Sequence, residues 1–219
     1  MTVAAVFDVD GTLVTFQFDM EGTRQALIEE LARKGYDSAG IDLKTPTQRI
    51  LDAARLQTPD DEQWRYQDFR KAAFALLDRF EAVSAFTTAP IPGAREALER
   101  LKSRGVRIAV LTNAGRNAAS VSLRRAGLAD IFEFVLTRDE TIVMKPDPGG
   151  VAMAATRLGP TAESVYYVGD SPYDIAAARG AGVKMVAVAT GNHSAERLKS
   201  EGADFVVASI ADVPVVLGV

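Results

Sequence analysis

Short apolar segments alternate with amphipathic ones along the chain from residue 94 onward. Residues 94–104 carry apolar positions at helical spacing and end at Gly105, which predicts a helix. Residues 106–111 are apolar except for Arg107, as in a strand buried on both faces of a sheet. The same alternation predicts helices at 117–125, 150–158 and 175–179, and strands at 3–7, 135–136, 165–168, 184–188 and 205–207. Because alternating strands and helices are joined by right-handed crossovers, we predict an α/β fold, a Rossmann-like parallel sheet sandwiched by helices.

The stretch between the first strand and residue 87 has a different pattern. It shows helical spacing of apolar residues and no convincing strand, and Pro46 and Pro59 divide it into separate helices. We therefore expect an all-helical cap domain at 16–86, inserted into an α/β core formed by 1–15 and 87–219. Within the cap, we expect Trp64 to pack in the hydrophobic core together with Phe69.

Composition narrows the class of protein. The 219 residues, 47% hydrophobic and 25% charged, suffice for a globular core with a smaller insert. A net charge of −4 argues against nucleic acid as the main partner, because phosphate backbones attract basic surfaces. The absence of cysteine excludes disulfides, thiolate metal ligands and cysteine nucleophiles.

No segment reaches the roughly 20 apolar residues of a membrane span, so we expect a cytoplasmic protein without a membrane partner. We expect a monomer, because no apolar helix is left unassigned.

Polar residues follow four of the predicted strands at the point where each strand ends. They are Asp8 and Asp10 after the first strand, Thr112 and Asn113 after 106–111, Lys145 after 135–136, and Asp170 after 165–168, with Asp174 four residues further on. Each has a simpler interpretation alone, such as a helix cap for an aspartate or a solvated loop position for the lysine. The carboxyl ends of parallel strands share one edge, so we expect these residues to converge on one cleft.

This set of side chains meets the requirements of phosphoryl transfer. The transferred group is strongly anionic, so a carboxylate approaches it only with the help of cations. Mg²⁺ prefers oxygen ligands, which Asp8, Asp170 and a backbone carbonyl would supply. Lys145 adds a compact positive charge, and the Thr112 hydroxyl can donate to phosphoryl oxygens. Asp8 could then attack phosphorus, while Asp10 first protonates the leaving oxygen and later deprotonates water.

Four segments, 6–13, 110–113, 145–148 and 168–171 with Asp174, resemble the haloacid dehalogenase-like hydrolase superfamily, in its phosphoglycolate phosphatase-like branch with a helical cap. The resemblance implies that Asp8 is the nucleophile and a metal ligand. It makes Asp10 the general acid/base, with its backbone carbonyl also on the metal. It assigns phosphoryl binding to Thr112 and the backbone N–H of Asn113, and charge stabilisation to Lys145. Asp170 would bind the metal directly, and Asp174 would bind it through water or orient Lys145.

The predicted function is a Mg²⁺-dependent phosphomonoester hydrolase that acts on a small phosphorylated metabolite through an aspartyl phosphate. The presence of Asp10 points to phosphate chemistry, because dehalogenating members lack this second acid. Two alternatives remain: a phosphosugar mutase of the same superfamily, and a catalytically silent binding protein. Phosphoglycolate phosphatases commonly place Asp-Ser soon after the first motif, where this chain has Val14-Thr15 and no Asp-Ser. This departure leaves the identity of the substrate open.

Overall fold

The strands that precede the candidate site residues belong to one parallel sheet. The computed structural model describes residues 3–15, 17–159 and 161–219, and within them six parallel strands pair in the order β3-β2-β1-β4-β5-β6. Phe7 of β1 pairs with Val110 on one side and with Val168 on the other, so the carboxyl ends of these three strands are level. The strands are β1 (Ala4–Phe7), β2 (Arg107–Leu111), β3 (Val135–Leu136), β4 (Val165–Gly169), β5 (Lys184–Val188) and β6 (Phe205–Val207).

The chain divides into two compact units, which we call the core unit (1–16 and 85–219) and the cap unit (17–84). The cap unit starts one residue later and ends two residues earlier than the insert expected at 16–86. Its described residues form helices and no strand, and Pro46 and Pro59 each stand just before a helical segment. The helices are α1 (Met20–Arg33), α2 (Thr47–Leu56), a 3₁₀ turn (Asp60–Glu62) and α3 (Gln63–Thr87), whose last turn belongs to the core unit.

The interior of the cap unit is formed by aliphatic and aromatic residues from its three helices, including Leu27, Ile50 and Phe69, each fully buried. The expectation for Trp64 was wrong, because this residue is 68% exposed. Trp64 precedes Phe69 by five positions, which places it about 140° away around the helix at 100° per residue. The two aromatic side chains therefore lie on different faces of α3.

Helices cover both faces of the sheet in the core unit. Successive β1 residues alternate between two hydrophobic clusters, with Phe7 on one face and Val6 on the other. The first cluster includes Leu98 of the helix at Ala94–Ser103 (α4), and the second includes Val151 of the helix at Gly149–Leu158 (α6) and Ile175 of the helix at Pro172–Gly180 (α7). The helices are α4 (Ala94–Ser103), α5 (Arg116–Arg125), α6 (Gly149–Leu158), α7 (Pro172–Gly180), α8 (Ala195–Ser200) and α9 (Val213–Val216). The predicted α/β fold with a parallel sheet between helices is confirmed, and none of the described helices has the length and apolar character needed to cross a bilayer.

Candidate active site

Asp8 is held at the end of β1 by the sheet itself. Its backbone N–H donates to the Val168 carbonyl at 2.9 Å, so Asp8 continues the pairing with β4, and the residue is only 7% exposed. The chain then turns sharply at Gly11, whose φ of +81° lies in the left-handed region that favours glycine. The Val9 carbonyl accepts from the N–H groups of Leu13 and Val14, which closes the turn. The first motif therefore places a buried carboxylate at a fixed position on the sheet edge.

Lys145 lies at the centre of the site. Its Nζ atom donates to Oδ1 of Asp8 at 2.7 Å, to Oδ1 of Asp174 at 2.6 Å and to the Tyr167 hydroxyl at 2.9 Å. The residue is 6% exposed, so its charge is stabilised by these partners and hardly at all by solvent. The alternative interpretation of Lys145 as a solvated loop lysine is excluded by this burial.

Asn113 fixes the backbone that carries Lys145. The Asn113 Nδ2 donates to the Lys145 carbonyl at 3.0 Å, and the Lys145 N–H donates to Asn113 Oδ1 at 2.8 Å. This reciprocal pair joins the loop after β2 to the loop that contains the lysine. The sequence predicted only that the backbone N–H of Asn113 binds the phosphoryl group. The structure shows in addition that the Asn113 side chain holds the backbone of Lys145.

Thr112 lies directly at the carboxyl end of β2. Its N–H donates to the Leu136 carbonyl at 3.0 Å, and its hydroxyl oxygen accepts from the Ala114 N–H at 3.0 Å. Because the oxygen accepts this bond, the hydroxyl proton is directed away from Ala114 and can serve as a donor. This geometry agrees with the phosphoryl-binding role that the resemblance implies.

Three carboxylates form an acidic cluster beside Lys145. Each of Asp8, Asp170 and Asp174 is buried, and each offers an oxygen within 4.8 Å of those of the other two. The second oxygen of Asp174 accepts from the Ser171 N–H at 3.0 Å and from its hydroxyl at 2.6 Å, as part of a capping box at the start of α7. Both Asp174 oxygens thus have protein donors, so this carboxylate is placed to orient Lys145, one of its two predicted roles.

Asp10 stands apart from this cluster. It follows Asp8 by two residues, forms a backbone bridge with Val14, and is partly exposed. Among the described residues the carboxylates that group together do not include that of Asp10. The predicted contact of its backbone carbonyl with a metal stays a prediction, and its side chain stays assigned to proton transfer as a proposal.

Glycines surround the Asp170 carboxylate on two sides. A Cβ atom on Gly11 would lie 2.4 Å from Asp170 Oδ2, and one on Gly191 would lie 1.7 Å from the same oxygen. The loop after β5 is attached here, because the Thr190 hydroxyl donates to the Gly11 carbonyl at 2.7 Å. No role in the site was predicted from the sequence for Thr190 or Gly191. Their position directly after the predicted strand at 184–188 could have identified them, because the other site residues also follow the ends of strands.

The acidic cluster carries more negative charge than Lys145 can balance. Burial raises the pKa of Asp8 to about 6, although Lys145 lowers it. Burial and the neighbouring charges of Asp174 and Asp8 raise the pKa of Asp170 to about 8. For Lys145, burial lowers the pKa, but the negative charges of Asp174 and Asp8 outweigh this and leave the pKa well above its usual value. Three carboxylates and one ammonium leave a surplus of two negative charges when all are ionised. Oxygen donors with such a surplus fit a divalent cation of the Mg²⁺ type.

Comparison with known proteins agrees with this site. A family model described as haloacid dehalogenase-like hydrolase matches residues 2–182. The match spans well over half of the chain, so this protein belongs to the haloacid dehalogenase-like hydrolases. The predicted resemblance is thereby confirmed.

Individual relatives cover nearly the whole chain. Phosphoglycolate phosphatase from Neisseria meningitidis is 30% identical in an alignment of 219 positions that covers 96% of this chain and 91% of that protein. Phosphoglycolate phosphatase from Cereibacter sphaeroides is 36% identical in an alignment of 188 positions that covers 82% of this chain and 82% of that protein. The crystal structure of CbbY from Rhodobacter sphaeroides in complex with phosphate aligns with a TM-score of 0.63 and 25% identity, over 97% of this chain and 96% of that chain.

Proposed function

We propose that this hydrolase is a Mg²⁺-dependent phosphomonoester phosphatase that forms an aspartyl phosphate at Asp8. The observation that carries the proposal is the position of the Lys145 ammonium, which forms ion pairs with both Asp8 and Asp174. The Asp170 carboxylate lies in the same cluster and adds negative charge that this ammonium does not neutralise. A nucleophilic carboxylate must be ionised and close to positive charge before it can meet a phosphoryl group. Asp8 meets both conditions above about pH 6.

Asp8, Asp170 and the backbone carbonyl of Asp10 would hold the cation. When bound, Mg²⁺ supplies positive charge that offsets the repulsion between the carboxylates and the phosphoryl oxygens. The residues of the chain itself would bind the phosphoryl group and stabilise its charge. Thr112 and the Asn113 N–H would donate to the phosphoryl oxygens, and Lys145 would stabilise charge that develops on them.

Two displacements at phosphorus complete the reaction. In the first, an Asp8 oxygen forms a bond to phosphorus while the bond to the substrate oxygen breaks, and the Asp10 carboxylic acid protonates that oxygen. In the second, the Asp10 carboxylate takes a proton from water as the water oxygen bonds to phosphorus, which breaks the Asp8–phosphorus bond. Inorganic phosphate leaves, and both aspartates return to their starting protonation states.

The substrate class we propose is a small phosphorylated metabolite, with 2-phosphoglycolate as the first candidate because two relatives that cover most of the chain carry that activity in their names. The same relatives are phosphatases, so the mutase alternative is not favoured. Because Asp-Ser is missing after the first motif, 2-phosphoglycolate requires a direct comparison with other phosphomonoesters.

The test is phosphate release from glycolate, sugar, nucleotide and aryl phosphates with Mg²⁺ or with EDTA. Wild type should release phosphate only with Mg²⁺, and Asp8→Asn should release none. Asp130→Asn, an exposed aspartate of the core unit, is the matched control and should behave as wild type. Release of phosphate by Asp8→Asn at the wild-type rate would refute the proposal. A requirement for a bisphosphate activator, with isomerisation in place of release, would establish the mutase instead.

A further inference from the structure

Tyr167 occupies a position in the site that the reaction described above does not use. It lies on β4 and is fully buried, and its hydroxyl has two partners. The oxygen accepts from Lys145 Nζ at 2.9 Å, and the hydroxyl donates to the Leu111 carbonyl at 3.1 Å. An ammonium can only donate and a carbonyl can only accept, so the direction of both bonds is fixed.

The two hydrogen bonds connect parts of the site that lie on different strands. Strand β1 lies between β2 and β4, and Tyr167 pairs with Val6 of β1. The tyrosine side chain therefore reaches past β1 to the last residue of β2, and Leu111 immediately precedes Thr112. A change in the position of this hydroxyl would affect both the lysine and the backbone that carries the predicted phosphoryl-binding threonine.

The hydroxyl also completes the coordination of the Lys145 ammonium. An ammonium has three protons, and in the described part of the chain Lys145 has three acceptors, Asp8, Asp174 and Tyr167, at 2.6–2.9 Å. Two acceptors leave a head group free to pivot about the line that joins them, whereas a third fixes its position. A long lysine side chain has several rotatable bonds, so this third contact restricts it strongly.

We propose that Tyr167 is a positioning residue that holds the Lys145 ammonium against Asp8 and couples it to the backbone before Thr112. The proposal rests on the proposed function for its effect on turnover. The position of the ammonium itself is independent of what substrate the protein hydrolyses.

The first experiment compares Tyr167→Phe with Tyr166→Phe. Tyr166 is the adjacent tyrosine on β4, and among the described residues its hydroxyl contacts only the exposed Lys184, at 3.4 Å. The loss of a hydrogen bond to a charged group lowers a rate or an affinity by about 10–100-fold. Tyr167→Phe should therefore lower kcat by about this factor with KM changed less than about threefold, and Tyr166→Phe should match wild type.

A double-mutant cycle separates positioning from general support of the fold. If Tyr167 acts through Lys145, the kcat penalty of Tyr167→Phe should disappear in a Lys145→Met background. A penalty that persists unchanged in that background would overturn the proposal. So would a wild-type kcat in Tyr167→Phe.

A spectroscopic measurement tests the contact without relying on activity. In ¹⁵N-labelled protein with Mg²⁺, the Lys145 ammonium should give a slowly exchanging signal that Lys145→Met removes. Wild type and Tyr166→Phe should show this signal, and Tyr167→Phe should lose it or shift it. Absence of a protected ammonium signal in wild type would overturn the proposal even if Tyr167→Phe failed to fold. If wild type hydrolyses no phosphomonoester, the proposed function fails, whereas this signal still decides the positioning role.

Discussion

Gly191 lies so close to Asp170 that a Cβ atom at position 191 would stand 1.7 Å from the carboxylate oxygen Oδ2. Gly11 approaches the same oxygen from the first motif, where a Cβ atom would stand 2.4 Å away. The carboxylate proposed to bind the metal is thus confined by two loops from opposite ends of the sequence. The absence of side chains at these two positions leaves room for Asp170 to hold its orientation.

Gly191→Ala should weaken Mg²⁺ activation, because the added methyl group forces the Asp170 carboxylate to move. Disturbing the residues around a metal ligand typically costs about 10–100-fold in metal affinity, and we expect a rise of this size in the Mg²⁺ concentration needed for half-maximal phosphate release. Asn192→Ala, in the same loop and exposed, is the control. An unchanged Mg²⁺ dependence in Gly191→Ala would show that the loop after β5 does not support the metal ligand.

The metal-free protein should become less stable as the pH rises. The pKa values of Asp8 and Asp170 are raised from 3.8 to about 6 and about 8, so the folded chain binds more protons than the unfolded chain between about pH 4 and pH 8. The free energy of unfolding therefore falls as the pH rises through this range. Bound Mg²⁺ favours the ionised carboxylates and should remove most of this fall.

Thermal unfolding in EDTA and in Mg²⁺ checks this pH dependence. In EDTA the Tm should be lower at about pH 8.5 than at about pH 5.5, and the difference should shrink with Mg²⁺. Asp170→Asn should flatten the dependence in EDTA, because it removes the group with the larger rise in pKa. A Tm that increases with pH in EDTA would contradict the assignment of these raised pKa values.

Asp10→Asn should slow both chemical steps while leaving the nucleophile intact. Loss of a positioned general acid/base lowers kcat by about 10²–10⁴-fold. Substrates with good leaving groups, such as aryl phosphates, need less protonation of the leaving oxygen, so for them the first step should be spared. Phosphoenzyme should then accumulate, and rapid-quench measurement should detect more of it in Asp10→Asn than in wild type. Equal losses for alkyl and aryl phosphates, with no accumulation, would argue against the acid/base role.

Asn113→Ala should reduce both stability and turnover. The change removes the two hydrogen bonds to the backbone of Lys145, which are worth about 1 kcal/mol each. We expect the free energy of unfolding to fall by about 2 kcal/mol in denaturant titrations, together with a lower kcat. Asn117→Ala, exposed on α5, should change neither quantity appreciably. A stable Asn113→Ala with normal kcat would show that the reciprocal pair is dispensable.

Sequence periodicity predicted much of the fold because buried strands and amphipathic helices leave strong local patterns. The strand at 184–188 was predicted with its observed bounds. Asp8, Lys145 and Asp170 were assigned to one edge of the sheet, and the structure brings them together there. Strand-end placement sufficed for these residues, since parallel strands bring their carboxyl ends together whatever the connections between them.

Contacts between side chains were harder to predict. Tyr167 looks like any apolar position of a buried strand, and only the structure shows that its hydroxyl meets Lys145. Gly191 resembles an ordinary turn glycine until the position of Asp170 is known. The prediction for Trp64 was wrong because an aromatic side chain is buried only when it lies on the face of the helix that packs against the core, and Trp64 lies on another face.

Trapping the phosphoenzyme tests whether Asp8 is the nucleophile. Wild type and Asp8→Asn are mixed with a phosphomonoester and Mg²⁺, quenched rapidly in acid, and mapped by mass spectrometry of their peptides. We predict a phosphoryl group on the peptide that carries Asp8 in wild type, and none in the variant. Turnover by wild type with phosphate on another residue, or with no phosphorylated enzyme while Asp8→Asn remains active, would contradict this prediction.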